Sequence, residues 1–365
     1  MTKQLLITWF ILFSLNVKAQ TWLPEIITSH GSIFKHTDKI NFPTDVWSPA
    51  LEIRISRQPG LRPSSWEQKH PGSYFGVNFT YRYLGDKRLG HAFGFFPSIT
   101  TSLWRSKEMS LWFEVGGGIS YLTEPFDLGK SEYNNAIGSH VNNITSFRIF
   151  LDFPGAKNTE CLTGLGFSHY SNGALTLPNL GINVYSLCLG LRLGQMSMAD
   201  KKSQPILEEP KRWRAILGGR YTQVEWITPG GPKYPVYSYH IGAKYIANER
   251  AHWLIGLEYE MNRAAFWWGL DNFVFADRRE ARNKSYRLMA FAGREIVFDR
   301  WSILLQLNIN LRNNPIGTPK PYAQILGVKH YFAPHARINP YLGIFMKAHG
   351  TVAEYFSLGM GADLL

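Results

Sequence analysis

The chain runs to 365 residues, 45% hydrophobic and 15% aromatic, with 33 glycines, two cysteines and a net charge of +12. No stretch approaches 18 consecutive apolar residues, which excludes a helical membrane bundle, and two cysteines are too few for a disulfide-stapled scaffold. Many aromatics and glycines at modest hydrophobicity suit an all-β chain, and the basic balance suits phosphate-bearing partners, whether lipid headgroups or nucleic acid.

Met1–Gln20 reads MTKQLLITWFILFSLNVKAQ. Lys3 precedes the apolar run Leu5–Leu15, and Val17-Lys18-Ala19 resembles a small-residue cleavage site. This is the pattern of a secretory signal peptide over 1–19, too short to span a membrane. No Cys follows the apolar run, so no lipoprotein anchor is expected. Cleavage would remove Lys3 and Lys18 and no acid, taking +12 to +10. An exported basic chain is expected to meet anionic lipid or lipopolysaccharide, not nucleic acid.

Beyond the signal, period-2 alternation dominates and helical periodicity is nearly absent. Strands are expected near 29–36, 50–57, 74–83, 92–103, 110–121, 144–153, 160–171 and 183–194. A polar stretch, QMSMADKKSQPILEEPK at 195–211, reads as a linker. Strands resume near 213–223, 235–246, 252–262, 284–293, 301–311, 321–331, 340–349 and 354–363. Most are long enough to cross a bilayer when tilted, which takes about 9–11 residues. The expected fold is an antiparallel transmembrane β-barrel protein of about 16 strands in two halves, 20–194 and 212–365. Two eight-stranded barrels and one sixteen-stranded barrel both fit. Loops 122–143 and 263–283 are long, whereas 104–109, 154–159 and 247–251 are short, as expected for alternate outer and inner turns. The long segment 58–73 breaks that rule. Phe345–Leu364 resembles Gly166–Leu193 with its loop shortened and puts His349 near His169, which suggests duplication with a degenerate second copy.

Strand 183–194 sorts by face. Tyr185, Leu187, Leu189, Leu191 and Leu193 share one face; Val184, Ser186, Cys188, Gly190 and Arg192 share the other. In a membrane barrel the leucine face meets lipid. Strand 160–171 puts Leu165, Phe167, His169 and Ser171 on one face. His169, Ser171 and Asn183 therefore continue the lipid-facing stripes at one rim, on the extracellular side by the loop alternation. Polar groups at such positions are costly unless paired or at the interface, so three of them on adjacent strands mark a candidate site. By parity, Cys161 and Cys188 lie on opposite faces and are not expected to pair.

The block His169-Tyr170-Ser171-Asn172, followed by Pro178-Asn179 and Gly181-Ile182, resembles the lipid A 3-O-deacylase (PagL)-like and acyloxyacyl hydrolase family of outer-membrane β-barrel proteins. The likeness covers Gly164–Leu193, with weaker likeness through Asn134–Asn143. It implies a site on the outer barrel wall that hydrolyses an ester-linked acyl chain of lipid A, the lipid of lipopolysaccharide. It implies that Ser171 is the nucleophile, that His169 is its general base, and that Asn172 helps stabilise the oxyanion. The family pattern places a Glu twelve residues after the Ser, where this chain has Asn183. An amide can still fix the His tautomer but supplies no negative charge to an imidazolium.

No motif calls for a metal or cofactor. His140 reads as a loop histidine at the rim, and the mixed charges Asp271–Arg282 read as a solvated loop. Gly116-Gly117-Gly118 reads as small lumen lining within a strand. The alternative function is a non-enzymatic barrel, such as a pore, an adhesin or an inactive relative. A wide lumen would favour the pore.

Overall fold

A computed structural model of the chain describes residues 22–58, 70, 72–196, 212–226, 228–248, 250–312, 321–334, 336–350 and 352–365. The expected signal peptide, nearly all of the expected linker and most of 58–73 lie outside these residues. The described residues form two compact units. The first holds β1 (Trp22–Ile33), β2 (Trp47–Arg57), β3 (Ser73–Tyr83), β4 (His91–Arg105), β5 (Ser110–Leu122), β6 (Val141–Pro154), β7 (Thr159–Ser171) and β8 (Ile182–Leu193). The second holds β9 (Arg212–Glu225), β10 (Lys233–Asn248), β11 (Ala251–Asn262), β12 (Tyr286–Phe298), β13 (Trp301–Asn310), β14 (Tyr322–Tyr331), β15 (Ile338–His349) and β16 (Val352–Leu364).

Each set closes on itself. Strand β1 pairs antiparallel with β8, from Glu25 opposite Arg192 to Ile33 opposite Val184. Strand β9 pairs with β16, from Tyr221 opposite Leu358 to Ala215 opposite Leu364. The chain is therefore two eight-stranded barrels and not one of sixteen strands. The outer walls carry apolar side chains on strand after strand. Examples are Ile53, Phe95, Ile119, Leu165, Leu187 and Leu189 in the first barrel, and Ile241, Leu257, Leu305, Ile344 and Leu358 in the second. So much exposed hydrocarbon is stable only against lipid.

The interiors are filled, not open. In the first barrel Arg54 pairs with Glu25 and Glu114, and Arg148 with Glu52 at 2.9 Å and Glu114 at 3.2 Å. Arg192 reaches Glu25 at 3.2 Å and Asp152 at 3.1 Å, and also pairs with Glu160. Apolar clusters flank this layer: Leu84, Leu89, Phe96, Leu122, Ile144 and Tyr170 in one, Tyr74, Trp112, Phe150 and Leu162 in the other. Gly116 and Gly118 make room for Phe96, since a Cβ on either would lie 2.7 Å from it. In the second barrel Lys244 pairs with Glu295 at 2.6 Å, and Arg287 with Glu260 at 2.7 Å and Glu354 at 2.6 Å. Neither interior is the wide lumen that a pore requires.

Three expectations need correction. Strand β1 starts at Trp22, well before 29, because its outward side carries Pro24, Thr28 and His30, which interrupt the apolar stripe that marks the other strands. Loop 263–285 holds two short helices, α1 (Arg263–Asp271) and α2 (Arg278–Lys284). The Asn262 side chain caps α1 by accepting from the Ala264 and Ala265 amides, and Asp277 caps α2 by accepting from the Glu280 amide. No helix among the described residues is long and apolar enough to cross a membrane. His349 faces the interior, 2.8 Å from the Glu354 carboxylate, because it shares the parity of the inward Tyr341, Phe345 and Lys347. It is not a second copy of His169 on an outer wall. Cys161 and Cys188 are both unpaired thiols.

Candidate active site

Three adjacent strands of the first barrel assemble the rim. Strand register sets Asn143 of β6 opposite Ser171 of β7, Thr145 opposite His169, and His169 opposite Asn183 of β8. Tyr170, between His169 and Ser171, packs in the interior cluster. Leu165, four residues before His169, is 64% exposed on the outside. Alternation therefore puts His169, Ser171 and Asn183 on the outer face. The rim bears aromatic residues at its lipid boundary, including Trp47 and Tyr121, both exposed.

His169 Nδ1 lies 2.6 Å from Asn183 Oδ1. An amide oxygen only accepts, so Nδ1 carries the ring proton and Nε2 keeps the basic lone pair. Asn183 Nδ2 lies 2.9 Å from His36 Nδ1, and His36 Nε2 lies 2.9 Å from the Leu180 carbonyl oxygen. Ser171 is 2% exposed and His169 is half-buried. Gly181 turns the chain at φ +79°, and a Cβ there would lie 2.8 Å from His169 Cε1. Only glycine suits both the backbone and the ring beside it.

Asn172 follows Ser171 and is 3% exposed. Its backbone amide donates to Asn179 Oδ1 at 3.0 Å, and its side-chain amide donates to the Thr176 carbonyl at 2.9 Å. These bonds shape the turn that carries Ser171 into the loop. On the β6 side, the Thr145 hydroxyl donates to Asn143 Oδ1 at 2.8 Å, and Asn143 Nδ2 donates to the Gly118 carbonyl at 3.1 Å. One pleat further from the rim lies an aromatic row. Phe147 and Phe167 have ring centroids 6.4 Å apart, Phe167 and Tyr185 5.2 Å, and Tyr185 and Phe34 5.3 Å.

Sequence reasoning missed His36, Asn143 and Thr145. The β6 pair follows from register once β6 is known to neighbour β7. His36, in the loop after β1, becomes a neighbour only when the barrel closes β1 on β8. His140 sits with Nδ1 2.8 Å from the Leu122 carbonyl and stacks on Tyr121 at 5.2 Å. In the second unit, Lys284 pairs with Glu280 at 2.6 Å on an exposed helix face. Among the described residues, no group of three or more His, Cys, Asp or Glu could hold a metal ion.

Family models match both barrels. The model of lipid A 3-O-deacylase (PagL) matches residues 30–192, and that of the acyloxyacyl hydrolase C-terminal domain matches 211–364. The chain belongs to the PagL-like acyloxyacyl hydrolase family. Among solved structures, the outer membrane enzyme PagL is 22% identical over 46% of this chain and 97% of its own, with a TM-score of 0.32. CdiB from Acinetobacter baumannii is 9% identical over 94% of this chain and 60% of its own, with a TM-score of 0.20. A Rhodopseudomonas blastica porin triple mutant is 9% identical over 94% of this chain and 99% of its own, with a TM-score of 0.17. No curated protein matches the chain.

Proposed function

We propose that the first barrel is an outer-membrane hydrolase that removes an ester-linked acyl chain from lipid A of lipopolysaccharide in the outer leaflet. Ser171 attacks the acyl carbonyl while His169 Nε2 takes the hydroxyl proton. The tetrahedral intermediate collapses, the sugar hydroxyl leaves with that proton, and water then releases the fatty acid from Ser171 by the same route. Asn183 orients His169, and Asn172 or backbone amides of its turn stabilise the oxyanion.

The observation that carries this reading is the pairing of His169 Nδ1 with Asn183 Oδ1 on the outer wall, two residues from Ser171. Residues i and i+2 of a strand lie about 7 Å apart, within side-chain reach of a hydroxyl–imidazole contact. A lipid-facing position lets the acyl chain stay in the bilayer while its ester meets these groups. Little water competes there for the oxyanion donors.

The test is incubation of the purified full-length protein with lipopolysaccharide, read by mass spectrometry of the lipid A. Wild type is expected to remove one hydroxyacyl mass, and Ser171→Ala and His169→Ala each to lower the rate at least about 1,000-fold. Unchanged lipid A from folded wild-type protein, across several lipopolysaccharides and simple esters, overturns the reading in favour of a binding or structural barrel.

A further inference from the structure

An amide at position 183 raises a difficulty that a carboxylate does not. A carboxylate only accepts, whereas an amide has an accepting end and a donating end. With Oδ1 toward His169, the ring proton stays on Nδ1 and Nε2 is basic. Turned over, Nδ2 would donate to Nδ1, the proton would sit on Nε2, and no base would face Ser171. Something must choose between the two.

The two residues beyond Asn183, His36 and Leu180, make that choice from one fixed point. The Leu180 carbonyl can only accept, so His36 Nε2, at 2.9 Å, carries a proton. In the neutral ring His36 Nδ1 is then an acceptor. It takes an N–H from Asn183 Nδ2 at 2.9 Å, which turns Oδ1 toward His169 Nδ1 at 2.6 Å. Every donor along the path meets an acceptor, in one sense only. The backbone holds both ends of the path. The Phe34 amide donates to the Asn183 carbonyl at 2.8 Å, and the Gly181 amide donates to the Ala136 carbonyl at 3.0 Å. His36, Leu180, Asn183 and His169 all belong to the first unit.

We propose that His36 is a positioning residue that sets the orientation of the Asn183 amide and through it the tautomer of His169. This rests on the hydrolase reading above and assigns the task that the family's carboxylate performs alone to an Asn–His pair. The bland alternative is a surface histidine with incidental partners. It would not require both ring nitrogens to be engaged in the one sense that leaves His169 basic.

The experiment uses full-length protein labelled with 15N-histidine in detergent micelles, with His169 assigned by its loss in His169→Gln. Ring 15N shifts report the tautomer whether or not lipid is cleaved, so failure of this inference is distinct from failure of the hydrolase reading. Wild type is expected to show His169 protonated on Nδ1. His36→Phe keeps a ring and removes the acceptor. It is expected to move His169 toward the Nε2–H form and to lower kcat at least about tenfold with KM nearly unchanged. His36→Gln, whose Oε1 can accept from Asn183, restores both readouts. So does Asn183→Asp added to His36→Phe, because a carboxylate cannot donate to His169. Should His36→Phe fail to fold, His36→Lys, which can only donate, is expected to give the same tautomer shift. Retention of the Nδ1–H form and of wild-type kcat in a folded His36→Phe or His36→Lys protein overturns the proposal.

Discussion

A single hydrogen atom at Gly181 separates a His169 ring seated against Asn183 from a displaced one. The backbone there lies in the left-handed region, and a methyl group would meet His169 Cε1 at 2.8 Å. Gly181→Ala is therefore expected to push the ring off Asn183 and to strain the turn by about 1 kcal/mol. Barrel formation should survive, seen as heat-modifiable gel migration, while deacylation falls at least about tenfold. At this scale the sequence was informative where residues are local. His169, Ser171 and Asn183 share a face by parity alone, and Gly181 lies in the same block. His36 was illegible because it stands 147 positions from Asn183 and no periodicity links the two. Asn172 is subtler. Its position beside Ser171 was legible, but its bonds to Asn179 and Thr176 depend on the path of a loop that alternation does not describe.

At the scale of elements, strands were legible because lipid on one side and a filled interior on the other enforce strict alternation. The expectation for β8, 183–194, differs from the observed Ile182–Leu193 by one residue at each end. Strand β1 was cut short because its outward side mixes Ile26 with Pro24, Thr28 and His30, so no continuous apolar stripe marks its start. Helices α1 and α2 were missed because each is only about two turns long, too short for a 3.6-residue repeat to show. The outward aromatics of β6, β7 and β8 form a row, Phe147, Phe167 and Tyr185, just below the polar rim. An acyl chain descending from Ser171 into the bilayer would lie along them. Phe167→Ala is expected to weaken apparent lipid binding roughly 2- to 10-fold, the worth of an aromatic contact, with kcat changed far less. Steady-state kinetics on lipid A in mixed micelles would check this. An equal loss in kcat would show instead that Phe167 holds the His169 ring in place.

Over the whole molecule, the count of strands was legible but their closure was not. Whether sixteen strands make one ring or two depends on β1 finding β8, a pairing that no local pattern announces. The ion pairs that fill each ring make the closure costly to disturb. Arg54 is wholly buried between Glu25 and Glu114, so Arg54→Ala takes one cation from two buried carboxylates, leaving Glu25 with Arg192 and Glu114 with Arg148. It is expected to destabilise the first barrel by about 3–5 kcal/mol, measured by denaturant unfolding from micelles or bilayers. The same filling predicts that the purified protein adds no steady ion conductance to a planar bilayer. Sustained open-channel currents would contradict it. With the interior sealed and the candidate residues on the outside, substrate has no reason to pass through bulk water or through a barrel. It would arrive sideways, by diffusion within its own leaflet. The encounter is then two-dimensional, and the concentration that governs it is a mole fraction in the membrane plane. Diluting lipid A with inert lipid, at constant amounts of lipid A and protein, should slow the reaction, whereas enlarging the aqueous volume should leave it unchanged.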